Sequence, residues 1–511
     1  SEYVREGSAL DREALRRGCT IYLPDRAIPM LPSALAADLC SLLPERERLC
    51  LCVIAELDRG GAVERFEIVE GVMRSAAMLT YGGVARALGF TETGPRSKAA
   101  EAFKGGLKVV DELSRKLRKR RMDRGALDMD LPEAKLTLDE QSGAPVDVTQ
   151  RTHDPGIKRA YQMVEELMLL ANELVAQWLS AKRCPAIYRV HGVPDEMKLE
   201  RLGEISSKLG LPLPLHEAVS PKGLSRWLDA VRKRPELQVL ELLLLRSLKQ
   251  AVYDVVNIGH FGLASDAYLH FTSPIRRYPD LLVHRLVKKI LRGGKVDQSA
   301  SFVETMRAAA TDSSQRERSA VEVEREVMDL YRALFMREHL GEVFEGTVTG
   351  VSGTGLFVNL SQPYVDVLVR FEALGPDNYE IDEDELGAVG MRSGDRVRIG
   401  DRMTLEIEDV ALLRRTVFGK RRLEDSQIVR ITGGGRPGPS QRRAPAGARG
   451  RAPSPNPRRT ERDSGRPGRA AAEHPAKGGA QSRSGAGRAT GGSARKQAGR
   501  TTKKSSGYKH R

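Results

Sequence analysis

The apolar residues of this chain change period at Gly341, and that change limits the fold more than any other feature. Downstream, "EVFEGTVTGVSGTGLFVNL", "YVDVLVRFEAL" and "GDRVRIGDRMTLEIEDVALLRRTVFGK" alternate apolar with polar residues and turn at glycines. A period of two belongs to strands with one buried face. Five or so such strands in about 80 residues predict a small β-barrel, with an OB-fold the natural candidate. Barrels of this kind bind single strands by stacking bases on aromatics over a basic groove. Phe357 and Phe371 are therefore either barrel core or a stacking platform, and Arg370 is a candidate phosphate or base contact.

Upstream of Gly341, strands come first and helices follow. "RLCLCVIAELDRGGAVERFEIVEGVMRS" reads as a hairpin turning at Gly60-Gly61. Its first run is apolar on successive residues, which predicts a central strand. "SKAAEAFKGGLKVVDELSRKLRKRRM" and "DPGIKRAYQMVEELMLLANELVAQWLSAK" repeat at helical spacing, and Met163, Leu167, Leu170 and Ala171 share a face of the second. "PELQVLELLLLRSLKQAVYDV" is apolar around most of its circumference and predicts a core helix. "SSQRERSAVEVEREVMDLYRALFM" closes the region as another long helix. The expected class is α+β, with one domain over 1–340, the barrel over 341–422 and a tail over 423–511.

The tail carries the charge. Gly434 to Arg511 holds 20 Lys and Arg against three acids, a net of +17 in a chain of +15, so the preceding residues sum to −2. With Tyr508 its only aromatic, this stretch cannot bury enough apolar surface to fold and is expected to be disordered. A flexible polycation suits phosphate backbones, without base choice and with strong salt dependence; a solubilising or acid-binding tail is the plainer alternative. No apolar run is long enough to span a bilayer, and "SEYVREGSALDREALRRG" has no secretory h-region. Cysteines 19, 40, 50, 52 and 184 form no C-x-x-C, which predicts a reducing cytoplasm and no zinc site. Nothing in the sequence demands more than a monomer.

One stretch concentrates chemistry: "HFTSPIRRYPDLLVHR", His270 to Arg285. Thr272 or Ser273 is placed to cap a helix with Pro274 in its first turn. Free N–H groups and the helix dipole would make that end an anion site, with Arg276 and Arg277 beside it. A spacing of four would put Arg276, Asp280 and His284 on one face, the carboxylate orienting a guanidinium that grips phosphate bidentately. A structural salt-bridge network explains the same residues.

"GHFGLASDAYLHFTSPIRRYPDLLVHR" resembles the signature of the ribonuclease II/R (RNB) family of processive 3′-to-5′ exoribonucleases. The likeness continues, in the family's order, through "LDREALRRGCTIYLPDRAIPMLP" (10–32), "MLTYGGV" (78–84), "RGALDMDLPEA" (124–134), "VEELMLLAN" (164–172), "LLLLRSLKQAVY" (242–253) and "ERSAVEVER" (317–325). The barrel resembles the S1-type RNA-binding domain that follows the family's catalytic domain, and a basic tail is typical of its ribonuclease R branch. The resemblance implies that Arg276 contacts the phosphate at the scissile bond, where a permanently charged group meets developing negative charge. By the same resemblance Glu324 contacts the terminal nucleotides, Glu165 lies in the RNA channel, and Tyr81 stands beside the reacting end. Arg277, Phe357, Arg370 and Phe371 are the further RNA contacts expected.

The sequence departs from the family in three places. Met129 replaces a frequent stacking aromatic, and Thr354 and Arg370 stand where related barrels often carry an aromatic and a histidine. The aspartates that hold the family's magnesium are not recognisable. "LDMD" (Asp128, Asp130) belongs to another motif and "IDEDEL" to the barrel. Two clamped metals need several converging carboxylates. Those ligands are expected upstream of Ser1, the chain being read as a fragment that binds RNA and hydrolyses it poorly. The implied activity of the parent is magnesium-dependent hydrolysis of RNA from single-stranded 3′ ends, releasing nucleoside 5′-monophosphates. The ribosome is left open as a second partner. The alternative is a natural RNA-binding protein without catalysis.

Overall fold

The computed structural model describes residues 1–424, except 130–132, 152–153, 235–236 and 384, together with Ile431. Apart from Leu423, Glu424 and Ile431, the tail lies outside the described residues, as do Asp130 and Asp384. Helices and strands segregate into an α+β arrangement, and from Ser1 through the barrel the chain forms one compact unit. Among the described residues no helix is long and apolar enough to cross a membrane.

The first helix, α1 (Ala9–Arg17), is capped by Ser8, whose hydroxyl accepts the Asp11 N–H, and it ends at Gly18 with φ +71°. The predicted hairpin forms from β1 (Glu47–Leu57) and β2 (Val63–Arg74), with Leu49 opposite Val72. It remains a two-stranded ribbon, so β1 is not the central strand its apolar run predicts. The run divides instead. Leu51 and Val53 pack on the main core with Phe66 and Ile68, while Leu49 and Ile54 stay exposed.

Three helices follow: α2 (Tyr81–Ala87), which the periodicity did not predict, and α3 (Lys104–Arg124) and α4 (Pro155–Ala181), which it did, although a short helix at Lys98–Ala102 is separated from α3 at Phe103. Asp154 caps α4 by accepting the Gly156 and Ile157 N–H groups, with Pro155 in the first turn, where its missing donor costs nothing. Met163 is buried as predicted, yet Glu166, Asn172 and Glu173 of α4 are buried too. Arginines account for the acids. Arg121 Nη2 lies 2.6 Å from Glu166, and Arg124 Nη2 lies 2.8 Å from Glu173, while Arg159 of α4 returns the pairing to Asp111 of α3. Breaking such a buried pair by removing one partner costs about 3–5 kcal/mol.

The apolar helix is α5 (Leu237–Ser247), shorter than predicted, because Val252–Asp254 pair as a strand with Tyr188–Val190; Leu240 and Leu244 are fully buried, but Leu245 is exposed. Next, α6 (Tyr278–Leu291) buries Tyr278, Leu281, Leu282, Val283, Leu286 and Val287 in the main core with Val175, Leu179 and Ile187. The last helix, α7 (Ala300–Met336), begins at Ala300 rather than Ser313, because Ser299 caps it by accepting the Phe302 N–H.

Strands β3 (Val343–Ser352), β4 (Gly355–Leu360), β5 (Asp366–Arg370), β6 (Arg402–Ala411) and β7 (Thr416–Arg421) close a barrel in the order β4-β5-β7-β6-β3. Only β5–β7 is parallel. A three-stranded sheet, Tyr379–Ile381, Gly387–Gly390 and Arg396–Arg398, is inserted between β5 and β6. The barrel core includes Ala333 and Met336 of α7 and Val148, so the barrel is seated on the end of the long helix.

Candidate nucleic-acid site

The arginine-rich stretch folds differently from the sequence expectation. Neither Thr272 nor Ser273 caps a helix opened by Pro274; α6 starts at Tyr278, with Arg277 at the N-cap position and Pro279 in the first turn. Pro279 is the reason. A helix begun at Pro274 would bury that ring in its interior, without a donor and against the carbonyl of Ile275. Residues 274–276 make a turn instead, with the Arg276 and Arg277 N–H groups both donating to Ser273 O at 3.2 Å.

Asp280 is fully buried, and its carboxylate accepts from Arg277 Nε and Nη2, each at 2.8 Å, and from the Ser273 N–H at 2.7 Å. It therefore orients Arg277, not Arg276, and the predicted Arg276–Asp280–His284 face does not form because Arg276 precedes the helix. Arg277, predicted to touch RNA, spends that fork on the protein. Arg276 is the opposite: exposed, with no ion pair or side-chain hydrogen bond among the described residues. Behind the turn, His284 Nε2–H donates to Phe271 O at 2.8 Å, and burial pushes its imidazole down to about 4.

The stretch is held from α4 as well. Asn172 donates through Nδ2 to the Tyr268 hydroxyl (3.0 Å) and accepts the Phe271 N–H through Oδ1 (2.9 Å). The Tyr253 hydroxyl and His270 Nδ1 lie 2.8 Å apart, and burial holds the His270 imidazole well below its ordinary value. Arg189 covers the Tyr253 ring at 4.7 Å and pairs with Glu317 of α7.

Arg276 and Glu324 meet through a third segment. The Thr20 N–H donates to Arg276 O at 3.0 Å and the Tyr278 N–H to Gly18 O at 2.9 Å, while the Tyr22 N–H donates to Glu324 Oε1 at 2.7 Å. Thr20 and Tyr22 are alternate residues of extended chain, about 7 Å apart. The two residues thus grip one short stretch. It passes close to α7: a Cβ added to Gly18 would lie 2.5 Å from Arg316 Cβ.

Tyr81 opens α2 and is exposed rather than core, its ring stacked on Tyr161 at 3.7 Å between centroids. Tyr161, Glu165, Met168 and Asn172 follow one stripe of α4 at helical spacing. Glu165, exposed and 3.6 Å from Arg121, is therefore on the line from the stacked tyrosines to Asn172, about 16 Å of helix. Tyr161 and Asn172 were legible only as members of that spacing, and the sequence reading did not single them out.

In the barrel, Phe357 projects from β4 at 39% exposure and lines a cavity of about 900 Å³ with residues of α5 and α7. Phe371 is instead half-buried against the barrel core. The Arg370 guanidinium lies over the Phe418 ring at 4.2 Å. Met129 is half-buried against the cluster around Leu199 and Trp227.

The residues described do not fit a magnesium site. Among them no group of three or more His, Cys, Asp or Glu side chains could hold a metal ion. Asp128 faces Arg118, Asp280 faces Arg277, and Asp382 faces Arg398.

Both parts of the chain resemble known proteins. Residues 1–293 match the model of the RNB domain and residues 338–422 that of the S1 RNA binding domain. The chain is 40% identical over 402 residues to ribonuclease R of Aquifex aeolicus, covering 78% of this chain and 56% of that protein. It is 36% identical over 426 residues to ribonuclease R of Escherichia coli, covering 82% and 51%. The chain thus spans about half the length of these relatives. The structure of Mycoplasma genitalium RNase R in complex with ribose-methylated single-stranded RNA aligns at a TM-score of 0.76 and 27% identity, over 82% of this chain and 65% of that one.

Proposed function

The chain belongs to the RNB family, and from that premise we propose that it serves a hydrolytic exoribonuclease that shortens RNA from single-stranded 3′ ends, processively and with release of nucleoside 5′-monophosphates. The observation that carries this reading is Arg276, an exposed guanidinium with no ion pair among the described residues, on a turn fixed from behind by Asp280, Asn172 and His284. A charge so placed needs no rearrangement to meet a phosphate, and a guanidinium stays protonated throughout. Glu324 of α7 and the Tyr81–Tyr161 stack would hold the terminal nucleotides, with Glu165 along the strand's path. The exposed Phe357 gives the barrel a base platform. Domain limits near 340 and 422 follow the change of period at Gly341 and the onset of the basic tail, and the protein is read as a cytoplasmic monomer.

The magnesium ligands implied by the family resemblance are proposed to lie outside this sequence. The second reading, an RNA-binding protein without hydrolysis, is favoured by the lack of a fitting carboxylate set among the described residues. One experiment separates the two. The complete reading frame, and residues 1–511 alone, are incubated with magnesium and 5′-labelled single-stranded RNA. A ladder shortening from the 3′ end with the complete protein supports the nuclease. Tight binding with no shortening by the complete protein supports the binder, and brisk release by residues 1–511 would show that the metal ligands are within them.

A further inference from the structure

Cys50 and Cys52 are alternate residues of β1, so their side chains leave the same face of the ribbon. Their Sγ atoms lie 3.4 Å apart, and both thiols are free and half-buried. Among the described residues no other two cysteines come within hydrogen-bonding distance. Leu51, between them, points the other way and packs on the main core with Val53, Phe66 and Ile68. The cysteine face meets water instead, since Ile54, the next residue along it, is 49% exposed. Across the ribbon Cys50 is opposite Gly71, where a Cβ would lie 3.7 Å from the Cys50 Sγ, so the paired residue sets no side chain against that sulfur.

We propose that Cys50 and Cys52 are a site of reversible covalent oxidation, closing to an intrastrand disulfide by exchange with a low-molecular-weight disulfide. The thiolate of one cysteine attacks a sulfur of the small disulfide, forming a mixed disulfide and expelling one small thiolate. The second cysteine, deprotonated in its turn, attacks the protein sulfur of that mixed disulfide and expels the other. The small disulfide is thereby reduced to two thiols, which take up the two cysteine protons, and the cysteine pair is oxidised by two electrons. The strand geometry makes the new bond labile. Alternate residues of an extended strand have Cα atoms about 6.6–6.8 Å apart, the outer limit of the roughly 4.4–6.8 Å that disulfides span. The sulfurs must close to about 2.0 Å, which draws the two Cα atoms together and bends β1 around Leu51. Among the described residues only β2 pairs with β1, so no second neighbouring strand resists the bend. A bond strained in this way is easily reduced. Burial and the adjacent Cys52 thiol push the Cys50 thiol up to about 11, which keeps it protonated at neutral pH and makes the exchange quicken in alkali.

The test incubates the reduced full chain, in native buffer, with oxidised glutathione. The remaining thiols are then alkylated in denaturant and mapped by tryptic digestion and mass spectrometry. Residues 49–59, LCLCVIAELDR, form one tryptic peptide that holds both cysteines and no others. That peptide should be recovered unalkylated and lighter than its dithiol form by two hydrogens, and sooner in alkaline than in neutral buffer. Cys19, Cys40 and Cys184 should enter no protein disulfide. Excess reduced glutathione should restore the dithiol. C50S and C52S should each stop at a mixed disulfide on the cysteine that remains, which isolates the intermediate; the wild-type map decides the question even where a variant fails to fold. Alkylation of both cysteines in the wild-type peptide, or glutathione retained on it, overturns the proposal, as does a disulfide joining it to a different peptide. A bond that excess reduced glutathione leaves intact overturns its reversibility.

Discussion

Arg276 and Glu324 hold alternate residues of one extended segment, the first through its carbonyl on the Thr20 N–H and the second through its carboxylate on the Tyr22 N–H. Arg276 uses its backbone for this and keeps its guanidinium free, whereas Glu324 uses its side chain. The two should therefore respond differently to truncation.

For Arg276→Ala the expected change in stability is within about 0.5 kcal/mol, because the side chain is exposed and unpaired. Hydrolysis by the complete protein should fall by about 100-fold or more, the usual loss when a charge-stabilising donor is removed. Urea melts and single-turnover rates measured on one preparation check both. A large loss of stability would make Arg276 a structural residue.

Glu324→Ala removes the acceptor for the Tyr22 N–H and should destabilise the chain by about 0.5–1.5 kcal/mol, the net contribution of one hydrogen bond, because Tyr22 is exposed and water can replace the acceptor. Glu324→Gln keeps an acceptor and should recover most of that loss. Hydrogen exchange at the Tyr22 amide is the direct readout, faster in the alanine variant only. Equal exchange in all three proteins would mean the contact does not persist in solution.

Asp280→Ala leaves the Arg277 guanidinium and the Ser273 N–H without their acceptor in a buried site, at a cost of about 3–5 kcal/mol. Arg277→Ala strands the carboxylate and should cost a similar amount. Thermal melts of the two single variants and the double would show strong non-additivity, the double being less than the sum. Additive losses would contradict the pairing.

His284 gives a pH dependence whose sign is fixed. Burial lowers its folded pKa from 6.5 to about 4, so the unfolded chain takes up a proton first as pH falls. Its contribution is intact above pH 6.5 and is lost between there and pH 4, by up to about 3 kcal/mol. His284→Gln cannot protonate and should flatten that part of the stability profile, measured by denaturant titration from pH 7.5 to 4.5. A variant as acid-sensitive as the wild type would assign the loss to other groups.

Periodicity was enough for the hairpin at Gly60-Gly61, the helices around Met163 and Leu240, and the five-stranded barrel, because each follows from which residues within one element must leave water. Resemblance pointed to Arg276, Glu324, Glu165 and Tyr81 by position. Neither could say which arginine Asp280 holds, since that depended on Pro279 moving the helix start and on Ser273 folding back. Nor could they foresee that Glu166 and Glu173 are buried, because their arginines come from another helix. Burial of a charge depends on a partner that is distant in the chain, and only the folded arrangement brings that partner within reach.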